Sequence, residues 1–342
     1  MAELPLLLSD VARWYAATAV ALGVRTGLTG ALLAGGGTAR ELAAETQVDP
    51  DNAARWADAM VTGGYATVAD GRYAPNDEAL GILRGGFPLD VAAIVELLIP
   101  LGGLLPRVVT AIRDGEGIRP QEFQAAFGMT AERVNVPMYQ ALLLPEWIAG
   151  HPELRALLET GIDVAEVGPG GGTALRLLAG AFPASRFVGF DIDAATVAEA
   201  NAEAAAGGLV NARFEAVDGA TMPRATFDLV CMFDAFHHLV DADTVLDRMR
   251  DALRPGGSIL LAESSVSGDP ALDAADPTAI ILYGSDLLYC YQESKVGGQP
   301  GLGTTWAGRG LTAMLAEHGL VEAGRVESQA GYAVIRAVAA GG

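Results

Sequence analysis

The sequence predicts an α/β chain, in which a mostly helical N-terminal part precedes a mostly parallel, doubly wound sheet. Three observations carry this. Strand-like apolar runs alternate with helical stretches from Asp163 onward, the pattern of repeated β-α units. A glycine-rich turn, Gly168-Pro169-Gly170-Gly171-Gly172, separates the first such run from the helix after it. Upstream of Asp163 the apolar spacing is helical, interrupted by a single hairpin signal.

The elements follow in order. Residues 6–24 place apolar residues at helical spacing with few breakers, and Gly27 and Gly30 punctuate the run. Gly35-Gly36-Gly37 ends the next short helix. Thr38, with Glu41 three residues on, is a capping box that starts a helix over Ala39–Thr46. Asp49 caps a second helix, Pro50–Thr62, with proline at its first position, and Gly63-Gly64 stops it. Asp70-Gly71 is a hairpin turn between strands at 65–69 and 72–74. Two helices and a hairpin make a winged helix-turn-helix order. Its second helix offers Asp51, Arg55 and Asp58, and its hairpin Asp70 and Arg72. A phosphate backbone gains little there, so the module is read as packing and dimerisation rather than DNA binding. Residues 87–158 read as helical, divided into short pieces by Pro88, Pro100, Pro106, Pro120, Pro137, Pro145 and Pro152.

Then the period changes. Strand Asp163–Val167, helix Thr173–Ala181, strand 187–190, helix Ala194–Ala206 and strand 212–217 lead to strand Phe227–Phe233. Helix 243–253 is capped by Asp241, and Arg254-Pro255-Gly256-Gly257 reads as a turn into strand 258–262. An irregular stretch precedes helix 307–318. Strands Leu320–Glu327 and 332–338, joined by the short turn Gln329-Ala330-Gly331, must pair antiparallel.

Composition excludes several functions. The 342 residues suit roughly two domains of about 150 residues each. With 51% apolar and 19% charged residues the chain can build more than one core and is not disordered. There are 42 acidic against 22 basic residues, a formal net charge of −20, and both halves are acidic. No basic cluster serves a nucleic-acid backbone, and no polybasic segment serves an anionic membrane. Cys231 and Cys290 make no disulfide framework and lack metal-ligand spacing, and among His151, His237, His238 and His318 only one pair is adjacent, so no metal is expected. Glu3, Asp10 and Arg13 are wrong for a secretory leader, and Glu96, Pro100, Pro106 and Arg107 break the apolar stretch 91–109. A cytoplasmic chain is expected.

The chemistry-bearing residues lie at strand ends. In Glu166-Val167-Gly168-Pro169-Gly170-Gly171-Gly172-Thr173 the glycines depart from the dinucleotide fingerprint and Glu166 precedes them by two. That variant suits a ligand with an amino group and no pyrophosphate. Asp191 ends the next strand, where an acid holds ribose hydroxyls. Asp218 ends the third and is placed to accept from an adenine amino group.

Together Glu166-x-Gly168-x-Gly170-x-Gly172, Gly189-x-Asp191, Asp218-Gly219, Phe227-Asp228-Leu229-Val230 and Leu253-Arg254-Pro255-Gly256-Gly257 resemble a class I S-adenosylmethionine-dependent methyltransferase. The whole chain resembles the bacterial small-molecule type with an N-terminal winged-helix domain, distantly like plant O-methyltransferases. The stretch from Leu282-Tyr283-Gly284-Ser285 to Gly301-Leu302-Gly303-Thr304 also looks like this group. The resemblance implies a Rossmann-like seven-stranded sheet of order 3-2-1-4-5-7-6 with the last strand antiparallel. It implies S-adenosyl-L-methionine held by Glu166, Gly168, Gly170, Gly172, Asp191, Ile192, Asp218, Gly219 and Phe233. It implies a small-molecule acceptor and a homodimer, with a winged-helix domain at 1–86, a helical linker or lid at 87–153 and the methyltransferase domain at 154–342.

In the plant-type enzymes a histidine four residues before an aspartate acts as base, and His237 has that spacing to Asp241, with Glu263 as its partner. The chain departs from the plant pattern at His238, where those enzymes have Asp, and at Leu239, where they have Trp. Nitrogen, carbon and sulfur acceptors therefore stay open beside a hydroxyl. His238, Tyr283, Tyr289 and Trp306 are expected to shape the acceptor pocket. Two other readings stand: a methyltransferase fold that keeps its cofactor structurally for non-methylating chemistry, and a ligand-sensing regulator, which would need a basic recognition helix.

Overall fold

The computed structural model describes residues 5–85, 89–128, 130–329 and 331–340. The chain forms two compact units, Met1–Leu104 with Ala126–Pro137, and Leu105–Ala125 with Met138–Gly342. The helical stretch 87–153 is thus shared between them, and its expected start at 86/87 lies outside the described residues.

The first unit begins with helices Leu6–Thr26 and Leu28–Ala34, separated by Gly27 at φ 82°, whose N–H donates to the Val24 carbonyl. Thr38 accepts from the Glu41 N–H at 3.2 Å and its own N–H donates to Glu41 Oε2 at 2.7 Å, completing the capping box of Ala39–Thr46. Asp49 caps Pro50–Thr62 by accepting from the Asp51 and Asn52 N–H groups. Strands β1 (Gly37–Thr38), β2 (Ala66–Ala69) and β3 (Arg72–Pro75) form an antiparallel sheet of order β1-β3-β2. Asp70 at φ 48° and Gly71 at φ 71° are both left-handed, as a two-residue turn that follows strand twist requires. Leu32, Leu42, Ala53 and Met60 are buried in this unit's core, and Trp56 Nε1 donates to the Ala19 carbonyl at 2.9 Å. Leu6, Leu7, Val11, Trp14 and Tyr15 stand exposed on the first helix.

The second unit holds β4 (Asp163–Val167), β5 (Arg186–Asp191), β6 (Ala212–Ala216), β7 (Phe227–Phe233), β8 (Leu253–Ser264), β9 (Leu320–Glu327) and β10 (Tyr332–Ala339). Their order is β6-β5-β4-β7-β8-β10-β9, the first five parallel and β10 antiparallel to both neighbours. Counted along the seven strands, this is the expected 3-2-1-4-5-7-6. The central strands are near-continuous apolar runs because helices cover both faces: Val164, Ala165, Leu229, Val230 and Cys231 are fully buried.

Three expectations need correction. Arg254-Pro255-Gly256-Gly257 belongs to β8, which already pairs at Leu253 with Phe227 and then shifts register before Ser258 meets Leu229. Ion pairs from Arg254 to Asp163 at 2.8 Å and to Asp228 at 2.7 Å tie the bulged segment to the sheet. Prolines do not cut the helical stretch at every position: Pro106 lies within Leu98–Asp114, Pro137 within Thr130–Met138, and Pro145 within Tyr139–Ile148, a wider π-helical segment. Pro88, like Ala330 of the expected final turn, lies outside the described residues. The stretch expected to be irregular contains Ala279–Ser285, π-helical Asp286–Cys290 and Tyr291–Ser294. Among the described residues no single helix is long and apolar enough to cross a membrane.

Candidate active site

All groups that follow lie in the second unit. Parallel pairing aligns the carboxyl ends of its strands, with Glu166 opposite Gly189 on one side and Cys231 on the other. Where β4 ends, the chain must turn sharply into helix Thr173–Ala181. Gly168, Gly170 and Gly172 make that turn at φ 65°, 53° and 75°, in the left-handed region that favours glycine. The Gly168 N–H donates to the Phe190 carbonyl at 2.9 Å, pinning the turn to the end of β5. A Cβ on Gly172 would lie 2.3 Å from Phe214 Cζ, so the turn has no room for a side chain there.

Asp191 grips the same turn. Its Oδ2 accepts from the Gly170 N–H at 3.2 Å and its Oδ1 from the Asp193 N–H at 2.9 Å. Burial raises its pKa above the usual carboxylate value, and those N–H groups only partly oppose this. Ile192, next in the chain, is 65% exposed. Asp218 caps the turn Gly219–Thr221, accepting from the Ala220 N–H at 2.8 Å. Gly219 is buried so closely on Val167 that a Cβ would fall 2.5 Å from Val167 Cγ1. Glu166 is buried at the end of β4. Phe233, at the end of β7, is buried against Trp147 and Tyr139, ring centroids 5.8 and 6.5 Å away.

After β7 the chain passes through Asp234 at φ 52° into the short turn Phe236–His238. Its last two residues are paired separately with carboxylates. His237 Nδ1 lies 2.6 Å from Glu263 Oε2, and the other Glu263 oxygen accepts from the Phe236 N–H at 2.9 Å. His238 Nδ1 lies 2.5 Å from Glu293 Oε2. The two imidazoles are 4.2 Å apart, and Tyr289 stands 4.9 Å from His238 and 4.7 Å from Phe123. Cys290 stands beside both histidines, with one ligand atom of each of the three within 4.8 Å of those of the other two. The His237 side chain is 3% exposed and that of His238 23%, so only the second presents appreciable surface.

Electrostatics follow from this enclosure. Burial is the largest single influence and would lower the His237 pKa, but Glu263 and Cys290 together outweigh it and the imidazole lies well above its ordinary value. Burial and His237 likewise pull His238 down, yet Glu293 and Cys290 raise it to about 10. Burial pushes the Cys290 thiol up, but the two histidines reverse this and its pKa ends lowered.

The turn lies beside the segment that leads to the histidines: a Cβ on Gly168 would come within 3.4 Å of Ala235 Cβ, two residues before His237. Two other expected residues have partners of their own. The Tyr283 hydroxyl donates to Asp273 at 2.8 Å, and Trp306 stacks on buried Phe236 with centroids 6.0 Å apart. Sequence reasoning missed Cys290 and Glu293, and the packing of Tyr139 and Trp147 on Phe233. Glu293 was within reach, since it follows Tyr289 by one helical turn and Tyr289 had been singled out.

Residues 165–259 match the family model described as a methyltransferase domain. The fold is that of known class I methyltransferases. An O-methyltransferase from neocarzinostatin biosynthesis, solved with S-adenosylmethionine and 2-hydroxy-5-methyl naphthoic acid, superposes with a TM-score of 0.70 at 19% identity, over 99% of this chain and 100% of that one. The mitomycin 7-O-methyltransferase gives 0.68 at 18% identity, over 98% and 97%. A putative O-methyltransferase from Nostoc punctiforme gives 0.70 at 17% identity, over 98% and 99%.

Proposed function

We propose that this chain, built on a class I methyltransferase fold, transfers a methyl group from S-adenosyl-L-methionine to a small-molecule acceptor. The observation that carries the reading is the closeness of the glycine turn held by Asp191 to Ala235, at the start of the segment bearing His237 and His238. It joins a place for a cofactor to a place for proton chemistry at one edge of the sheet. The residues fit that cofactor: Glu166 and Asp218 supply buried and strand-end carboxylates, the glycines expose backbone, and Asp191 has acceptor capacity beyond its two N–H bonds. When bound, the cofactor supplies a methyl group on an already activated sulfonium. The chain must then bind it, orient the acceptor, exclude water and accept a proton where the acceptor carries one.

Glu166, Gly168, Gly170, Gly172, Asp191, Ile192, Asp218, Gly219 and Phe233 are the proposed cofactor contacts. His238, with Tyr289, is the proposed acceptor-facing group, because it alone of the two histidines has exposed surface. His237, enclosed between Glu263 and Cys290, is proposed as the inner proton station, held in one orientation by Glu263. Tyr283 and Trp306 enter only as supports of neighbouring elements. A homodimer through the apolar face of helix Leu6–Thr26 is part of the proposal, as are a cytoplasmic setting and the absence of nucleic-acid and membrane partners, for which the net charge of −20 is the support.

Titration calorimetry with S-adenosylhomocysteine tests the cofactor assignment, with a labelled-methyl assay against phenolic, amine and thiol acceptors beside it. Asp191→Ala is expected to weaken binding at least tenfold, and His238→Gln to leave binding intact while abolishing transfer. Undiminished binding in Asp191→Ala would overturn the cofactor site.

A further inference from the structure

We propose that His237, His238 and Cys290 form a transition-metal site, suited to zinc or another ion of borderline softness. The three side chains come from two separate elements, the turn Phe236–His238 and the π-helical segment Asp286–Cys290. One ligand atom from each lies within 4.8 Å of those of the other two. In a tetrahedral zinc site, bonds of about 2.0–2.3 Å put ligand atoms roughly 3.5 Å apart. Closing the cluster by about 1 Å is a matter of small side-chain rotations.

A second observation points the same way. Each imidazole has its Nδ1 against a buried carboxylate, His237 at 2.6 Å from Glu263 and His238 at 2.5 Å from Glu293. For His237 this contact is a hydrogen bond that leaves Nε2 as the ligand atom, whereas His238 Nδ1 is near Glu293 without a well-aligned hydrogen bond. A carboxylate behind the far nitrogen is the usual support of a metal-bound histidine, because it fixes the tautomer and makes the ring more basic. Charge balances too. A dication that replaces two imidazolium protons leaves the net charge of the enclosed cluster unchanged, and the thiol pushed down by its histidine neighbours supplies the thiolate that a soft ion needs.

Asp234, His237 and Glu263 form a second triad within the same distance, but Glu263 is already engaged by the Phe236 N–H and by His237. Two nitrogens and a sulfur therefore outcompete it for zinc, while magnesium or calcium, which take oxygen ligands, are disfavoured. Three protein ligands leave a fourth position open. Because the ion would occupy the nitrogens that otherwise handle protons, metal binding and proton acceptance exclude each other. Zinc is expected to inhibit the proposed transfer, and a chelator to restore it.

The test uses the full chain, freed of metal by a chelator, and Co²⁺ as probe. About one ion per chain is expected, with the ligand-field bands of tetrahedral cobalt and a thiolate-to-metal charge-transfer band. Cys290→Ser should abolish the charge-transfer band and weaken binding at least tenfold, and Cys231→Ser should change neither. Glu293→Gln should weaken binding about 10- to 100-fold, which keeps the test open if Cys290→Ser does not fold. Wild-type protein without a thiolate band, or equal binding in Cys290→Ser or Glu293→Gln, would overturn the site. Binding of S-adenosylhomocysteine by the same samples is read separately, so failure of the metal site is distinguishable from failure of the methyl-transfer reading.

Discussion

The tightest point of the proposed cofactor turn yields the sharpest prediction. Gly172 has φ 75°, and a Cβ there would lie 2.3 Å from Cζ and 2.5 Å from Cε1 of Phe214. Gly172→Ala therefore suffers two penalties. A left-handed conformation costs a residue with a Cβ about 1–2 kcal/mol. Overpacking against the ring adds about 1–3 kcal/mol, for a total of about 2–5 kcal/mol. Gly168→Ala is the internal control. Its φ is 65°, but its Cβ would meet Ala235 at an ordinary 3.4 Å, so only the first penalty of about 1–2 kcal/mol applies. The two penalties at Gly172 can be separated because the clash involves the far end of the ring, which leucine lacks. In a Phe214→Leu background, Gly172→Ala should retain the strain and lose most of the clash, giving a coupling of about 1–3 kcal/mol in a double-mutant cycle. Urea unfolding followed by far-ultraviolet circular dichroism measures all four proteins. Costs that simply add, or a Gly168→Ala as damaging as Gly172→Ala, would refute the assignment of Phe214 as the floor of the turn.

The remaining predictions concern charge and assembly. His238 has a folded-state pKa of about 10 against an ordinary 6.5. The stability this raised value contributes is complete below about pH 6.5 and is lost as pH rises through 10. The urea midpoint should fall across that interval, and His238→Gln should flatten the fall; an unchanged slope in the variant would show that other groups cause it. Trp14, 53% exposed beside Leu7 and Val11, should anchor the proposed dimer face. Trp14→Glu is expected to yield monomer in sedimentation equilibrium with the circular dichroism spectrum unchanged, and a dimer surviving the change would place the interface elsewhere.

How far the sequence is legible depends on whether a feature is local. The Thr38–Glu41 capping box and the Asp70-Gly71 turn are satisfied within a few residues, and both fall where their local patterns say. The strand Asp163–Val167 and the helix Thr173–Ala181 were read to the residue, because a short apolar run, a glycine turn and a helical spacing succeed one another without interruption. The strand-end residues Glu166, Asp191 and Asp218 are locatable for a topological reason. Parallel strands all deliver their carboxyl ends to one edge, so naming the strand names the place.

What the sequence hides is any contact made between distant segments, or any departure from regular helical period. Pro255-Gly256-Gly257 looks like a turn, but pairing with β7 on either side and ion pairs from Arg254 to Asp163 and Asp228 on other strands accompany its place within β8. Cys290 lacks metal-ligand spacing to any other residue in the sequence. It stands near the histidines at the end of the π-helical segment Asp286–Cys290. Such segments are rare and are frequently found at functional sites. A spacing rule for metal ligands assumes one regular helix or one tight loop, and this cluster joins a short turn to a distant segment. The rule therefore rejected a set of residues that the fold assembles from the end of one strand and an irregular helix well downstream of it.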